Sequence, residues 1–188
     1  MKENRLSTNR LFLFPISYQL ACSMLLEENK ALEKLGLKTN GNWPQANTLD
    51  MLCIAKKNLK KKINDGALKL WMIVKKSDMS IIGDIGFKGR ICEKGKVEIG
   101  CALIEEERGK GYGYETTKTL LDWVLSKEEI IAVKAKCYTH NTSSIKVLKK
   151  CGMSELKRDT KIIHWYLEKH PPLYLTVSEH LKMLPIPN

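Results

Sequence analysis

The chain contains no C-x-x-C pair, no apolar run of membrane-spanning length and no aromatic residues interleaved with its lysine runs. Each absence removes a class of protein. The six cysteines (Cys22, Cys53, Cys92, Cys101, Cys137 and Cys151) are widely spaced and the four histidines do not cluster near them, so zinc-site and dithiol redox spacings are missing and no metal is expected. Most of these cysteines lie in apolar patterns, as buried reduced thiols do, which predicts a cytoplasmic protein without disulfides. The most apolar stretch near the start, residues 11–26, is interrupted by Pro15, Ser17, Tyr18 and Gln19. A membrane span needs about 20 consecutive apolar residues, so no membrane partner and no signal segment are expected. Acidic residues are the minority charge, 21 against 32 Lys and Arg, for a formal net charge of +11. The lysine runs at Lys56-Lys57 and Lys60-Lys61-Lys62 lack the aromatic platform of a single-strand binder and read as solvated surface, with no specific nucleic acid partner expected.

What is present reads as one mixed α/β domain. A length of 188 residues, 43% of them apolar and 28% charged, supports one substantial core. Residues 9–14 read as a strand that Pro15 ends. A helix is expected from Ser17, its N-cap, to about Leu37, with Gly36 near its stop. A turn follows at 39–44 and a second helix at about 46–64. Three strand-like runs at 70–76, 81–89 and 96–104 suggest an antiparallel meander. Then come a helix over 112–126, a strand over 130–138, a helix over 141–150 stopped by Gly152, and one or two final strands including 161–169. Residues 1–170 form the expected domain. Residues 171–188, apolar but broken by prolines, form an extension that suits packing or an oligomer arm.

The most informative run is "RGKGYGYET", residues 108–116. Glycines let a main chain approach a ligand closely, and successive N–H groups at a helix start make an anion cradle, so a diphosphate is the natural guest. The P-loop pattern fails because no Ser or Thr follows Lys110 and the first glycine is missing. The dinucleotide pattern fails because its third glycine falls at Tyr114 or Thr116. The pattern [RQ]-x-x-G-x-[GA] is met by Arg108, Gly111 and Gly113.

That loop resembles the pyrophosphate loop of the GNAT superfamily of acetyltransferases. The strand before it, "VEIGCALIEEERGKGYG", and the later run "NTSSIKVLKKCGM" resemble the superfamily's two signatures, with Asn141, Ser144, Ile145, Val147, Leu148, Lys150 and Gly152 matching and Met153 replacing the usual Phe. "TNRLFLFPIS" and "IIGDIGFKG" are similar to the branch that contains ribosomal-protein N-terminal acetyltransferases. The resemblance covers roughly residues 8–169. It implies a mostly antiparallel, twisted sheet of about six to seven strands flanked by about four helices. It also implies an acetyl-CoA-dependent N-acetyltransferase whose acceptor is a primary amine.

Under that resemblance, Arg108, Gly109, Lys110, Gly111, Tyr112 and Gly113 hold the diphosphate of acetyl-CoA, Lys110 adding charge. Leu103 and Ile104 present main chain to the pantetheine arm. Asn141 and Ser144 contact the cofactor, and Ser144 is the candidate acid toward the departing thiolate. Many superfamily members use a Tyr for that step, but the matching position here is Leu148. Glu98, on the strand before the loop, is the first candidate base, with Asp84 and His140 behind it. Each residue also has a plain structural reading: Asn141 and Ser144 as helix caps, Glu98 as a surface carboxylate, Lys110 as a loop lysine. An α-amino acceptor near pKa 7.7–8.0 costs about 1 kcal/mol to deprotonate at neutral pH, against about 4–5 kcal/mol for a lysine-like amine. The resemblance to the ribosomal-protein branch makes a protein N-terminus, as of a ribosomal protein, the leading acceptor, and such an amine needs little help to lose its proton. A small-molecule amine (polyamine, amino acid or antibiotic) is the alternative, and a non-catalytic CoA-binding or RNA-associated module is the non-enzymatic one. Monomer and homodimer are both open.

Overall fold

The computed structural model of the protein describes residues 5–26, 30–39, 41–45, 48–50, 52–53, 70–92 and 95–169. The main chain runs through β1 (Leu6–Ser7), β2 (Leu11–Pro15), α1 (Tyr18–Leu25), α2 (Lys30–Glu33), β3 (Leu70–Lys75), β4 (Ile81–Cys92) and β5 (Lys96–Leu103). It continues through a short turn of 3-10 helix (Glu105–Glu107), α3 (Tyr112–Leu125), β6 (Ala132–Tyr138), α4 (Thr142–Lys150), β7 (Ser154–Arg158) and β8 (Ile162–Glu168). One eight-stranded sheet results, in the order β1-β2-β3-β4-β5-β6-β8-β7. It exceeds the expected strand count because β1 has two residues and β7 is exposed throughout with Leu156 its one apolar residue, so neither carries a hydrophobic alternation.

Pro15 closes β2 from inside the strand, and the next residue carries the ladder one step further, Ile16 N donating to Leu70 O at 2.8 Å. Ser17 caps α1 as expected, its Oγ accepting from Leu20 N at 3.2 Å. The single helix expected from Ser17 to Leu37 is instead two short ones, α1 and α2. Of the expected helix over 46–64, only residues 48–50 and 52–53 are described, and these are helical; the rest lies outside the described residues, as does the 171–188 extension. Gly152, at φ 83°, ends α4, with Met153 N donating to Leu148 O and Gly152 N to Lys149 O.

Every neighbouring strand pair is antiparallel except β5 and β6, and that exception makes the site. These two run parallel and pair only from Lys96↔Ala132 to Ile99↔Ala135. Beyond that point β5 continues to Leu103 paired with β4 alone, and β6 continues to Tyr138 paired with β8 alone. The sheet therefore forks at the carboxyl ends of its two parallel strands, the place where α/β sheets leave a crevice.

The two faces of the sheet differ. Register aligns Trp71, Ile85 and Cys101 on the face that α3 covers. There Trp123 of α3 packs edge-on against Trp71 at 5.2 Å and lies over Phe87 at 6.4 Å. The opposite row, Met72, Asp84 and Ala102, meets the segment between α2 and β3, which sends Trp43 and Thr48 onto the sheet.

Candidate active site

The loop 108–113 and the start of α4 flank the mouth of the fork, because α3 follows β5 and α4 follows β6. Gly113 joins the two: a Cβ there would sit 3.8 Å from both Leu103 Cδ1 of β5 and Val147 Cγ2 of α4. Gly109 and Gly111 both hold left-handed φ angles, 75° and 84°. Gly111 is the N-cap of α3 and brings no side-chain acceptor, so the first-turn N–H groups of α3 are left for a ligand. A Cβ on Gly111 would lie 3.3 Å from Arg10 Nη2, so a side chain there would also crowd the loop's own wall. These features fit the diphosphate of acetyl-CoA.

Arg10 and Glu115 were not anticipated from the sequence, yet they set this loop. The Glu115 carboxylate accepts from Thr8 Oγ1 at 2.5 Å, from Arg10 N at 2.8 Å and from Arg10 Nε at 2.8 Å. Arg10 Nη1 also donates to Lys110 O at 3.1 Å, and its guanidinium lies 4.4 Å from the centre of the Tyr112 ring. Burial works to raise the Glu115 pKa, but the bonds from Thr8 and Arg10 outweigh it and hold the group below its ordinary value. A first-turn acid is legible from the helix dipole; a partner about a hundred residues away is not.

The charge of Lys110 is already spoken for. Its Nζ pairs with Glu107 at 2.9 Å, and Lys75 pairs with the other oxygen of Glu107 at 2.8 Å. Burial pushes the Glu107 pKa up, and the two lysines more than reverse it. Arg108 donates from Nε to Leu103 O at 3.0 Å and so fixes the end of β5 rather than reaching outward through that nitrogen.

The expectation for Ile104 needs correction. Ile104 is buried outside β5, and its N–H donates to Ile82 O at 3.0 Å. It serves β4 and is not available to a pantetheine arm. Because successive strand residues point their N–H and C=O groups to opposite sides, the amides of Leu103 and Cys101 face the fork instead. Cys101 is exposed as a residue, although its side chain lies on the face of the sheet that α3 covers. Burial pushes the thiol up to about 12, which makes it inert.

Across the fork, Asn141 caps α4, its Oδ1 accepting from Ser144 N at 3.0 Å. That cap uses the main chain of Ser144 and leaves its partly exposed hydroxyl without a hydrogen bond among the described residues. Glu98 lies one residue before the fork, and Lys136 one residue past it on β6. Their ion pair, 2.9 Å, spans the crotch. Glu98 is thus engaged, and accepting a proton needs its other oxygen or an open pair. Asp84 is buried and takes two hydrogen bonds on Oδ2, from Trp43 Nε1 at 3.1 Å and Thr48 Oγ1 at 2.5 Å. Burial raises its pKa against those two bonds, and it acts as an anchor for the covering segment. His140 stacks on Tyr138 at 5.3 Å at the exposed end of β6.

A parallel-strand fork with two helix starts at its mouth suits an acyl-CoA cosubstrate, and the comparisons give the class, the acetyltransferases. The family description "Acetyltransferase (GNAT) domain" matches residues 10–154, and the chain belongs to that family. Over 160 residues it is 34% identical to an uncharacterized N-acetyltransferase, YjdG, of Bacillus subtilis, covering 85% of this chain and 95% of that one. Among solved structures it is similar to a ribosomal L7/L12 α-N-protein acetyltransferase in complex with coenzyme A (TM-score 0.60, 16% identity, 88% of this chain and 98% of that one). A chimeric spermidine N-acetyltransferase, SpeG from Vibrio cholerae joined with hSSAT, is comparably similar in fold (TM-score 0.60, 14% identity, 86% of this chain and 96% of that one). The chain is an acetyl-CoA-dependent N-acetyltransferase. Among the described residues no group of three or more His, Cys, Asp or Glu could hold a metal ion, and no helix is long and apolar enough to cross a membrane.

Proposed function

We propose that this enzyme acetylates the α-amino group of a protein N-terminus, as of a ribosomal protein, by direct attack in a ternary complex. The fork carries the reading: past Ile99 and Ala135 it exposes the edge of β5 with the diphosphate loop at its mouth. Acetyl-CoA supplies an activated acyl group as a thioester. The α3 amides hold its phosphates, and the outward amides of Cys101 and Leu103 hold its arm by strand-like pairing. Asn141 stays a cap that positions Ser144, and the Ser144 hydroxyl relays a proton: it gives its own to the departing sulfur as it takes one from the attacking nitrogen. The C–S bond breaks as the C–N bond forms, so the products are the amide and the free thiol of coenzyme A, and Ser144 ends as it began.

What the site does not offer supports this choice of acceptor. Glu98 is tied to Lys136 and Asp84 is buried under Trp43 and Thr48, so no candidate carboxylate stands free to strip a lysine-like amine. The Lys88 ammonium lies over Gly100 in the same region, its Nζ 3.7 Å from where a Cβ would be. A fixed ammonium disfavours a second one and so favours the neutral form of an incoming amine. An α-amine needs only about 1 kcal/mol of such help, and a polycation would be repelled.

The test measures free thiol released from acetyl-CoA with a peptide bearing a free α-amine, the same peptide blocked at its N-terminus but carrying a lysine, and spermidine. Turnover of the first alone is expected, and Ser144→Ala should lower kcat by about a hundredfold with little change in KM for acetyl-CoA. Turnover confined to spermidine would overturn the proposal.

A further inference from the structure

The face of the sheet opposite α3 carries one unbroken cross-strand row through four strands: Lys88 of β4, Glu98 of β5, Lys134 of β6 and Tyr166 of β8. One carboxylate is therefore flanked directly by a lysine on each side and paired diagonally with a third, Lys136. Glu98 neutralises one of the three. Lys88 and Lys134 are exposed and form no ion pair or hydrogen bond among the described residues. The next row holds two glycines, Gly86 opposite Gly100, and the fork replaces what would be its third member. The stem of Lys88 crosses that gap, its Cε 2.9 Å from the position a Cβ would take on Gly100. His164, opposite Lys136 on β8, extends the basic character outward, although Asp159 lies 3.8 Å from it. These two ammonium groups, unpaired among the described residues, thus border the fork on the face away from the diphosphate loop's helix.

We infer that Lys88 and Lys134 select an acceptor whose N-terminal residue is followed by acidic side chains, so that the substrate is an acidic N-terminal peptide. The inference rests on the α-amine reading given above and narrows it. The carboxylates behind the amine dock on the two lysines, while the amine itself, just ahead of them, lies in the glycine gap beside the fork. Opposite charge on the trailing residues attracts the peptide, and like charge at the reacting nitrogen keeps it deprotonated.

Three peptides with the same first residue and acidic, neutral or basic residues at positions two to four separate the outcomes. At low salt the acidic peptide should exceed the neutral one in kcat/KM by about tenfold, mostly through KM, and the advantage should shrink as salt is added. Lys134→Glu combined with Lys88→Glu should invert the order so that the basic peptide leads, a result that mere destabilisation does not produce. Equal kcat/KM for all three peptides overturns this inference and leaves the α-amine reading intact. Failure of all three while an amine such as spermidine is acetylated overturns both. Competition by a short oligonucleotide against every peptide equally, lost in the double variant, would assign the lysines to nucleic acid and also overturn it.

Discussion

Gly111→Ala tests the diphosphate loop most directly, because two separable effects act at one atom. Gly111 holds φ 84°, where an L-residue costs about 1–2 kcal/mol. The new Cβ would also lie 3.3 Å from Arg10 Nη2, so the guanidinium that bonds Lys110 O must shift by a few tenths of an ångström. For a chain of this length each kcal/mol moves Tm by about 2–4 °C, so the variant should melt about 2–8 °C below the parent yet remain folded. Binding should suffer more. The Cβ stands at the N-cap, where the diphosphate meets the first amides of α3, and displacing that contact should weaken acetyl-CoA by more than about tenfold, or about 1.4 kcal/mol. Gly113→Ala is the control. Its φ is not left-handed and its Cβ would meet only ordinary contacts at 3.8 Å, so it should bind normally and gain about 0.5–1 kcal/mol from helix propensity. Calorimetric titration with acetyl-CoA gives both affinities. In the parent, ligand at a hundred times Kd should add about 2.7 kcal/mol, a rise of about 5–10 °C. A folded Gly111→Ala protein with a Kd within threefold of the parent would refute the assignment of the loop.

Two further predictions concern pH. Glu115 is held below its ordinary value near 4.5, so its stabilising effect is present above that pH and is lost as pH falls through the lower folded value. Glu115→Gln should therefore lower Tm at pH 7 by the equivalent of about 1–2 kcal/mol, Arg10 being half exposed, and the difference should fade below about pH 4; thermal melts across pH 3–8 check it, and a constant difference would contradict the pairing. Asp84 is shifted the other way, its folded pKa raised by burial, so stability is fullest below its ordinary value of 3.8 and declines as pH rises through the raised one. Asp84→Asn keeps an oxygen for Trp43 and Thr48 while removing the buried charge, and its Tm should match or exceed the parent at pH 7 and converge with it near pH 3. Asp84→Ala, which strands both donors, should instead cost about 1–3 kcal/mol, and a neutral alanine variant would show that the anchor carries no weight.

The sequence carried the order of strands and helices wherever hydrophobic spacing was regular, and it carried both functional runs because their chemistry is local. A glycine loop at a strand end, an Asn at a helix start and a Gly past a helix end each act through the residues beside them. What it could not carry depends on register. That Glu98 lies between Lys88 and Lys134, and that Lys136 reaches back to it, follows only once β4, β5 and β6 are aligned. A one-residue slip would turn Glu98 into the core and remove the charge pattern altogether. The same holds for Ile104: the run 96–104 reads as one strand, but a single N–H···O bond to Ile82 decides which way each amide points. The shift of the proposed arm contacts from Ile104 to Cys101 is thus a consequence of parity. Parity also explains why Cys101 offers its main chain to the fork while its side chain lies on the face that α3 covers. Substituting Cys101 should perturb packing against Thr117 and leave the exposed amide in place, whereas a residue with no N–H there would strike the cleft itself.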